Sequence, residues 1–190
     1  MKIQALLFDG FDELDYFGAF EALRMGDFGV SPRSLHEQTI VTAAHGTRLL
    51  VDACISSEDK PDVLLVVGGG WIARSPKGAW TEVQDGTILR RVTEVRESGA
   101  ILASVCTGSL ILAHAGLLSG RRATTNRAAV QELKDLGVLY ENKRIVDDGD
   151  IITAGGITSS IDLGLHLLER FVSSKIAQQV SEKLEYDRRV

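Results

Sequence analysis

The sequence predicts a doubly wound α/β fold, with a mostly parallel sheet that carries helices on both faces. Three observations lead to this prediction. Short apolar runs alternate with helical patterns along the whole chain, which is typical of βαβ units. The run Val-Leu-Leu-Val-Val at 63–67 is unbroken, as expected for a strand that is covered on both faces. Several apolar runs end in turn signals, including Asp9-Gly10 and the glycine triplet at 68–70.

The individual elements are predicted in chain order from their spacing and their boundary residues. The predicted strands cover residues 2–8, 38–43, 63–67, 100–103, 144–146 and 150–153, with residues 47–51 as a short strand or hairpin arm. The predicted helices cover residues 14–25, 84–97, 109–115, 128–136, 157–171 and 175–186. Asp148-Gly149, between the last two strands, indicates a hairpin because this dipeptide favours a tight turn.

Length and composition indicate one domain spanning residues 1–190. The chain is long enough to bury a sizeable core, and it contains no repeat, low-complexity segment or linker. A net charge of −5 without a basic run argues against nucleic acid as a partner. No apolar stretch reaches the roughly 18 residues of a membrane span, and the N-terminus does not look like a signal peptide. Two cysteines make no disulfide framework, so we expect a reducing compartment, the cytoplasm.

The segment Ala-Ser-Val-Cys-Thr-Gly-Ser at 103–109 carries the clearest chemical signal. A predicted strand turns here into a predicted helix, with Cys106 in the turn and small residues beside it. This is the arrangement of a nucleophile elbow, in which the helix N-terminus favours a thiolate. The alternative is a buried cysteine at a strand end, because free cysteine is among the most buried residue types. The turn context favours a reactive thiol.

Two more features follow predicted strands and should lie at the same edge of the sheet, where α/β folds bind ligands. Asp15 follows the first strand and the glycines at 68–70 follow the third. Taken alone, the aspartate is more often a surface acid or helix cap, and the triplet an ordinary turn. Taken together with Cys106, Asp15 becomes a protonated neighbour of the sulfur, since two adjacent acids cannot both ionise easily. The N–H groups of the triplet and of Thr107 then form an oxyanion-type pocket.

These sequence blocks resemble the ThiJ/PfpI superfamily of class I glutamine amidotransferase-like, flavodoxin-like proteins. The resemblance extends over essentially the whole chain and is carried by residues 14–18, 62–70, 104–109, 120–125 and 150–157. The aspartate in the first block and Cys-Thr-Gly-Ser at the elbow are most similar to the isocyanide hydratase branch.

The resemblance also implies roles for individual residues. It implies that Cys106 is the nucleophile and that Asp15 is the acid that touches it. Gly69, Gly70 and Thr107 would line the pocket around them. It further implies a homodimer, and we expect no cofactor.

The chain also departs from many relatives of this superfamily. Asn126 stands where many of them have a histidine, so a Cys–His dyad lacks its histidine there and peptidase activity is disfavoured. The four histidines have no metal-ligand spacing, and we expect no metal site. Trp71 and Trp80 follow the glycine turn and either form an apolar wall of the pocket or pack in the interior.

A cysteine nucleophile with a neighbouring acid suits several reactions, and the sequence leaves them open. The leading hypothesis is a hydro-lyase similar to isocyanide hydratase. It would add water to an isocyanide through a covalent adduct on Cys106 and release an N-substituted formamide. The same residues could serve a glyoxalase or another thiol-dependent hydrolase. A non-enzymatic domain that senses a ligand, or senses oxidants by oxidation of Cys106 to a sulfinate, is the alternative outside catalysis.

Overall fold

The strands and the turns between them set where the functional groups lie. The structure, a computed structural model, describes residues 1–37 and 39–188. Its strands are β1 (Ile3–Leu7), β2 (Val30–Ser34), β3 (Ile40–Thr42), β4 (Arg48–Leu50), β5 (Val63–Val66), β6 (Ile101–Val105), β7 (Arg122–Ala123), β8 (Leu139–Tyr140), β9 (Ile145–Asp147) and β10 (Ile151–Ala154).

Six strands form the central sheet, in the order β2-β1-β5-β6-β10-β9. Neighbouring strands are parallel except β9, which runs antiparallel to β10 at the edge. β3 pairs with β4 in a separate hairpin, and β7 pairs with β8. The prediction of a doubly wound, mostly parallel sheet is confirmed.

Helices cover the two faces of this sheet. They are α1 (Glu13–Met25), α2 (Ala79–Asp85), α3 (Thr87–Glu97), α4 (Gly108–His114), α5 (Val130–Asp135), α6 (Ser159–Phe171) and α7 (Ser174–Lys183). α1, α6 and α7 pack together on one side, and α2 to α5 pack together on the other. Within residues 1–37 and 39–188, every helix is too short or too polar to cross a bilayer.

The strands at the centre of the sheet are buried on both faces. Every residue of β1, β5 and β10 is buried, as are the last four residues of β6. Side chains of successive residues point to opposite faces of a strand, so full burial requires helices above and below. The unbroken apolar run at 63–67 therefore has the environment that its composition predicted.

The second strand of the sheet was not predicted, and the predicted strand at 38–43 has a different partner. Residues 40–42 form an arm of the β3–β4 hairpin, outside the central sheet, and Gln38 lies outside the described residues. The sheet strand is Val30–Ser34, which contains Pro32 and little apolar sequence. Its edge position explains both features, because an edge strand needs no hydrogen bond from one of its sides.

The predicted helix at 84–97 is two helices. Gly86 ends α2 with a left-handed backbone at φ 82°, and α3 begins at the next residue. Glycine adopts this conformation without steric cost and commonly ends a helix. The predicted hairpin at 144–153 is confirmed as β9 and β10.

The carboxyl ends of β1, β5 and β6 meet at one edge of the sheet. The chain leaves β1 outward to β2 and returns to β5 on the other side of β1, so the strand order reverses between β1 and β5. Such a reversal opens a crevice between the loops, which is where open α/β sheets bind ligands. Asp15, Gly68 and Cys106 belong to the segments that follow these three strands.

Candidate active site

Cys106 stands in a strained turn directly between β6 and α4. Its φ of 57° is left-handed, a conformation that residues other than glycine adopt only when their surroundings enforce it. Its N–H donates to the carbonyls of Ala154 and Gly155, at 3.1 and 2.8 Å. Its carbonyl accepts from the Thr125 hydroxyl at 2.8 Å. The predicted strand–turn–helix elbow is therefore present, and hydrogen bonds hold it on both sides.

The carboxyl group of Asp15 lies close enough to the Cys106 thiol for each group to shift the pKa of the other. Asp15 is fully buried in the first turn of α1, and its Oδ2 accepts from the Gly68 N–H at 2.9 Å. Within the described chain, Oδ1 has no hydrogen-bond partner. A Cβ at Gly68 would lie 2.5 Å from the Thr107 hydroxyl and 3.0 Å from Asp15 Oδ2, so the approach of the three segments requires glycine there.

Burial disfavours the charged forms of both Asp15 and Cys106. It raises the pKa of Asp15 well above its usual value, and the nearby charge of Asp12 adds to the shift. Burial, followed by the charge of Asp15, raises the pKa of the Cys106 thiol to about 11. The expected effect of the helix N-terminus on the thiol is outweighed, and α4 has only seven residues. The pair therefore carries at most one negative charge near neutral pH.

Three N–H donors oppose the effect of burial on Cys106. They are the backbone N–H groups of Ile157 and Thr107 and the side-chain amide of Asn126, and each lowers the pKa of the thiol. The Asn126 Nδ2 atom lies 3.4 Å from the sulfur. A sulfur that loses its proton would thus meet donors that stabilise the charge.

The predicted role of the glycine turn needs a correction. Gly69 and Gly70 line the cleft beside Cys106, but the Gly69 N–H is engaged, because it donates to the Thr107 hydroxyl at 3.2 Å. Among the described residues, the Gly70 N–H has no such partner and remains a donor for a ligand. Glycine is required at 69, where a Cβ would approach the Gly10 carbonyl to 2.5 Å.

The cleft at Cys106 has a volume of about 520 Å³. Its walls come from the β1–α1 turn, the β3–β4 turn, residues 69–77, the elbow, and the segments at Asn126 and Ile157. Ile72 and Ile157 are exposed apolar side chains of this cleft. The cleft is open to small molecules and mostly uncharged around the sulfur.

The two tryptophans have different positions. Trp71 lines the cleft yet is buried, and its indole N–H donates to Glu132 at 2.8 Å. Trp80 lies outside the lining and packs edge-on against Trp71, with 5.4 Å between ring centroids. The Arg74 guanidinium stacks over Trp80 and pairs with Glu132. Trp80 therefore packs in the interior and does not form a wall of the cleft. The two tryptophans together stabilise the loop at residues 69–77, which forms one wall of the cleft.

Comparison with known proteins identifies the family to which this architecture belongs. Residues 1–170 match the DJ-1/PfpI family. The chain belongs to the DJ-1/PfpI family. It is 35% identical to an isonitrile hydratase of Pseudomonas putida over 189 residues, which are 98% of this chain and 78% of the relative. It is 32% identical to the HTH-type transcriptional regulator CdhR of Pseudomonas aeruginosa, covering 94% of this chain and 53% of that protein.

Solved structures of the DJ-1/PfpI family share the fold. Drosophila melanogaster DJ-1beta superposes with a TM-score of 0.84 at 22% identity, covering 98% of each chain. Schizosaccharomyces pombe DJ-1 gives a TM-score of 0.82 at 19% identity and covers 98% of this chain and all of that one. At these identities the likeness concerns the fold.

Sequence analysis of this DJ-1/PfpI chain missed two contributors to the site. Ile157 brings its N–H to the sulfur from a strained backbone at φ 21°, and Asp12 caps α1 and acts on the charge of Asp15. The glycines at 155–156, directly after β10, were the available signal for the first. For Asp12, the signal was a capping residue just before a predicted helix.

None of the four histidines contacts the sulfur, although one lies in the cleft. His45 lines the cleft wall and binds Glu13 at 2.7 Å, which was not expected. His166 pairs with Asp147, His36 with Glu82, and His114 packs against Trp71. Within residues 1–37 and 39–188, no cluster of three or more His, Cys, Asp or Glu side chains could hold a metal ion.

Proposed function

We propose that this protein is an enzyme that hydrates small isocyanides to N-substituted formamides, with Cys106 as the nucleophile and Asp15 as the proton donor. The observation that carries the proposal is the buried Asp15 carboxyl beside the Cys106 thiol, together with the open cleft that Cys106 lines. The 35% identity to an isonitrile hydratase supports the choice of substrate.

The first step forms a carbon–sulfur bond. The Cys106 sulfur attacks the terminal carbon of R–N≡C, and that carbon receives one proton. The net change is addition of S–H to carbon, which gives the thioimidate R–N=CH–S–Cys. Asp15 delivers the proton and takes up the one that leaves the thiol, so the pair returns to its starting charge.

The second step consumes one water molecule. Water adds to the thioimidate carbon, with its proton going to nitrogen, and forms R–NH–CH(OH)–S–Cys. Breakage of the carbon–sulfur bond releases R–NH–CHO and restores the thiol. Asp15 gives its proton to the substrate nitrogen and takes one from the attacking water, so it ends the step protonated, and the Gly70 N–H is a donor for the developing oxygen charge.

The proposal is tested by incubating the protein with an alkyl or an aryl isocyanide and following the formamide by NMR. We expect turnover that is abolished in Cys106→Ala. Cys54→Ala is the matched control, because Cys54 is half-buried outside the cleft and contacts Ser34, and it should keep full activity. Absence of formamide, or turnover unchanged in Cys106→Ala, would refute the proposal.

The same protein samples separate the alternatives. A glyoxalase would convert methylglyoxal to lactate with the same dependence on Cys106. A sensor domain would bind a ligand or oxidise at Cys106 without turnover, and the similarity to CdhR keeps this alternative open. Formamide production with many turnovers for each Cys106 would exclude the sensor alternative for this chain.

A further inference from the structure

We infer that Asn126 is a catalytic residue, whose side-chain amide donates a hydrogen bond to the Cys106 sulfur and stabilises the charge of the thiolate. The inference deepens the function proposed above and rests on it for its kinetic test. Its first test, however, needs no substrate.

The orientation of the Asn126 amide is fixed by its neighbours. The Oδ1 atom accepts from the Ala128 N–H at 3.0 Å, because Asn126 caps the short 3-10 turn at Arg127–Ala129. With the oxygen held there, the NH₂ group must face the other way, and Nδ2 lies 3.4 Å from the Cys106 sulfur. An amide turned by 180° would lose the cap and place an oxygen against the sulfur.

The chain leaves space for this contact. A Cβ at Gly156 would lie 3.1 Å from Nδ2 of Asn126, so the glycine allows the amide to pass close to the backbone. Asn126 is half-buried and lines the cleft together with Cys106 and Ile157. The donor is therefore partly shielded from water, where a hydrogen bond to an ion is strongest.

An amide can stabilise a charge but cannot accept the proton of a thiol. Among the described residues, Asp15 is the one titratable group whose charge acts on the Cys106 thiol. The geometry therefore assigns proton transfer and charge stabilisation to two different side chains. Asp15 moves the proton, and Asn126 holds the sulfur charge during attack on the substrate carbon, together with the N–H groups of Thr107 and Ile157.

The cap and the sulfur contact can be separated by mutation. Asn126→Ser keeps a good N-cap but has no amide that reaches the sulfur. Asn126→Asp keeps the cap and the size of the side chain, but it places a carboxylate oxygen at the sulfur. Asn142→Ser is the control, because Asn142 binds the Tyr140 hydroxyl and lies outside the cleft that contains Cys106.

The first measurement is the rate of alkylation of Cys106 by iodoacetamide at one mildly alkaline pH. Peptide mass spectrometry distinguishes Cys106 from Cys54. Below the pKa of the thiol, this rate follows the thiolate fraction. Loss of one charge-assisted hydrogen bond should raise the pKa by about one unit and slow alkylation about tenfold in Asn126→Ser. Asn126→Asp should be slower still, and Asn142→Ser unchanged. A native rate in Asn126→Ser would overturn the inference.

The second measurement is turnover of the isocyanide. Asn126→Ser should lower kcat about tenfold with a smaller change in KM, because the bond strengthens as the sulfur becomes charged. A merely structural cap would leave kcat at the native value, and that result would also overturn the inference. If the native protein makes no formamide, the proposed function fails, while the alkylation rates still decide the role of Asn126.

Discussion

At the scale of single residues, the site depends on a carboxyl group that is held neutral by burial. Asp15 is fully buried, and its nearest hydrogen-bond donor is a backbone N–H and not a cation. An ionised carboxylate there would be costly, so Asp15 keeps its proton until the proposed addition to the substrate takes place. The same burial that disfavours charge on Cys106 thus supplies the proton for addition chemistry.

The first prediction concerns the pH dependence of stability. The pKa of Asp15 is raised in the folded protein. Its contribution to the free energy of unfolding is therefore complete below the pKa of the unfolded chain, about 3.9, and is lost as pH rises through the folded pKa. The free energy of unfolding of the native protein, relative to Asp15→Asn, should therefore fall by about 1.4 kcal/mol per pH unit inside that window. Urea denaturation at a series of pH values measures it.

Asp59 supplies the control of opposite sign for this experiment. A hydrogen bond from Gln4 lowers the pKa of Asp59, so its contribution is present above the unfolded pKa and is lost as pH falls. The difference between the native protein and Asp59→Asn should decrease toward acid pH. A difference for Asp15→Asn that stays constant with pH would contradict the neutral carboxyl group.

At the scale of elements, the turns that follow β1, β5 and β6 lie so close together that there is no room for a side chain between them. Gly68 separates Asp15 from Thr107, and Gly108 approaches the carbonyl of Val66, where a Cβ would lie only 2.3 Å away. These contacts fix the elbow against the end of β5. The distance between acid and sulfur is therefore set by the packing of backbone segments.

Gly68→Ala is predicted to separate the acid from the sulfur. The added Cβ would lie 2.7 Å from the Thr107 N–H nitrogen, so the elbow must move. We expect a loss of about 1–3 kcal/mol in the free energy of unfolding and a large loss of formamide production. Gly29→Ala is the matched control, because a Cβ there meets nothing within 4 Å. Native activity in Gly68→Ala would show that the close approach is not required.

Much of this element-scale arrangement could be predicted from the sequence because its signals are local. The apolar run at 63–67, the elbow at Cys106 and the hairpin at Asp148-Gly149 each carry their own boundary residues. The strand at Val30–Ser34 has no such signal, since Pro32 and its polar neighbours are acceptable only at the edge of a sheet.

Contacts between distant segments were less accessible to sequence analysis. The Asn126 amide contacts a sulfur that is twenty residues away in the sequence. The N–H of Ile157, in the segment that follows β10, also reaches this sulfur. The glycines at 155–156 mark the turn before Ile157, but the contacts with the sulfur depend on how β6 and β10 pair. The resemblance pointed to Asp15 and Cys106, whereas the hydrogen bond from the Gly69 N–H to the Thr107 hydroxyl depends on how the elbow packs against the end of β5.

At the scale of the whole molecule, we propose a homodimer that forms through an apolar surface on α1. Leu14 and Phe17 lie three residues apart on one face of this helix and are 39% and 36% exposed. The Ser160 hydroxyl donates to the Leu14 carbonyl and ties this surface to the start of α6, near the exposed Ile157. Exposed apolar surface of this kind is typical of an interface between copies.

Phe17→Glu should convert the dimer to a monomer, because it places a charge in the apolar surface. Light scattering coupled to size-exclusion chromatography measures the mass. Leu139→Glu is the control, because Leu139 is 56% exposed on β8, which packs on α5. A native protein that is monomeric at all concentrations, or a Phe17→Glu variant that stays dimeric, would refute the proposed interface.

The most direct test is the infrared difference spectrum between the native protein and Asp15→Asn near neutral pH. Protonated carboxyl groups and carboxylates absorb at separate frequencies, so the spectrum reports the state of this one side chain. We predict a protonated carboxyl band in the native protein that is absent from Asp15→Asn. A carboxylate band in its place would contradict the shared proton on which the proposed chemistry at Cys106 depends.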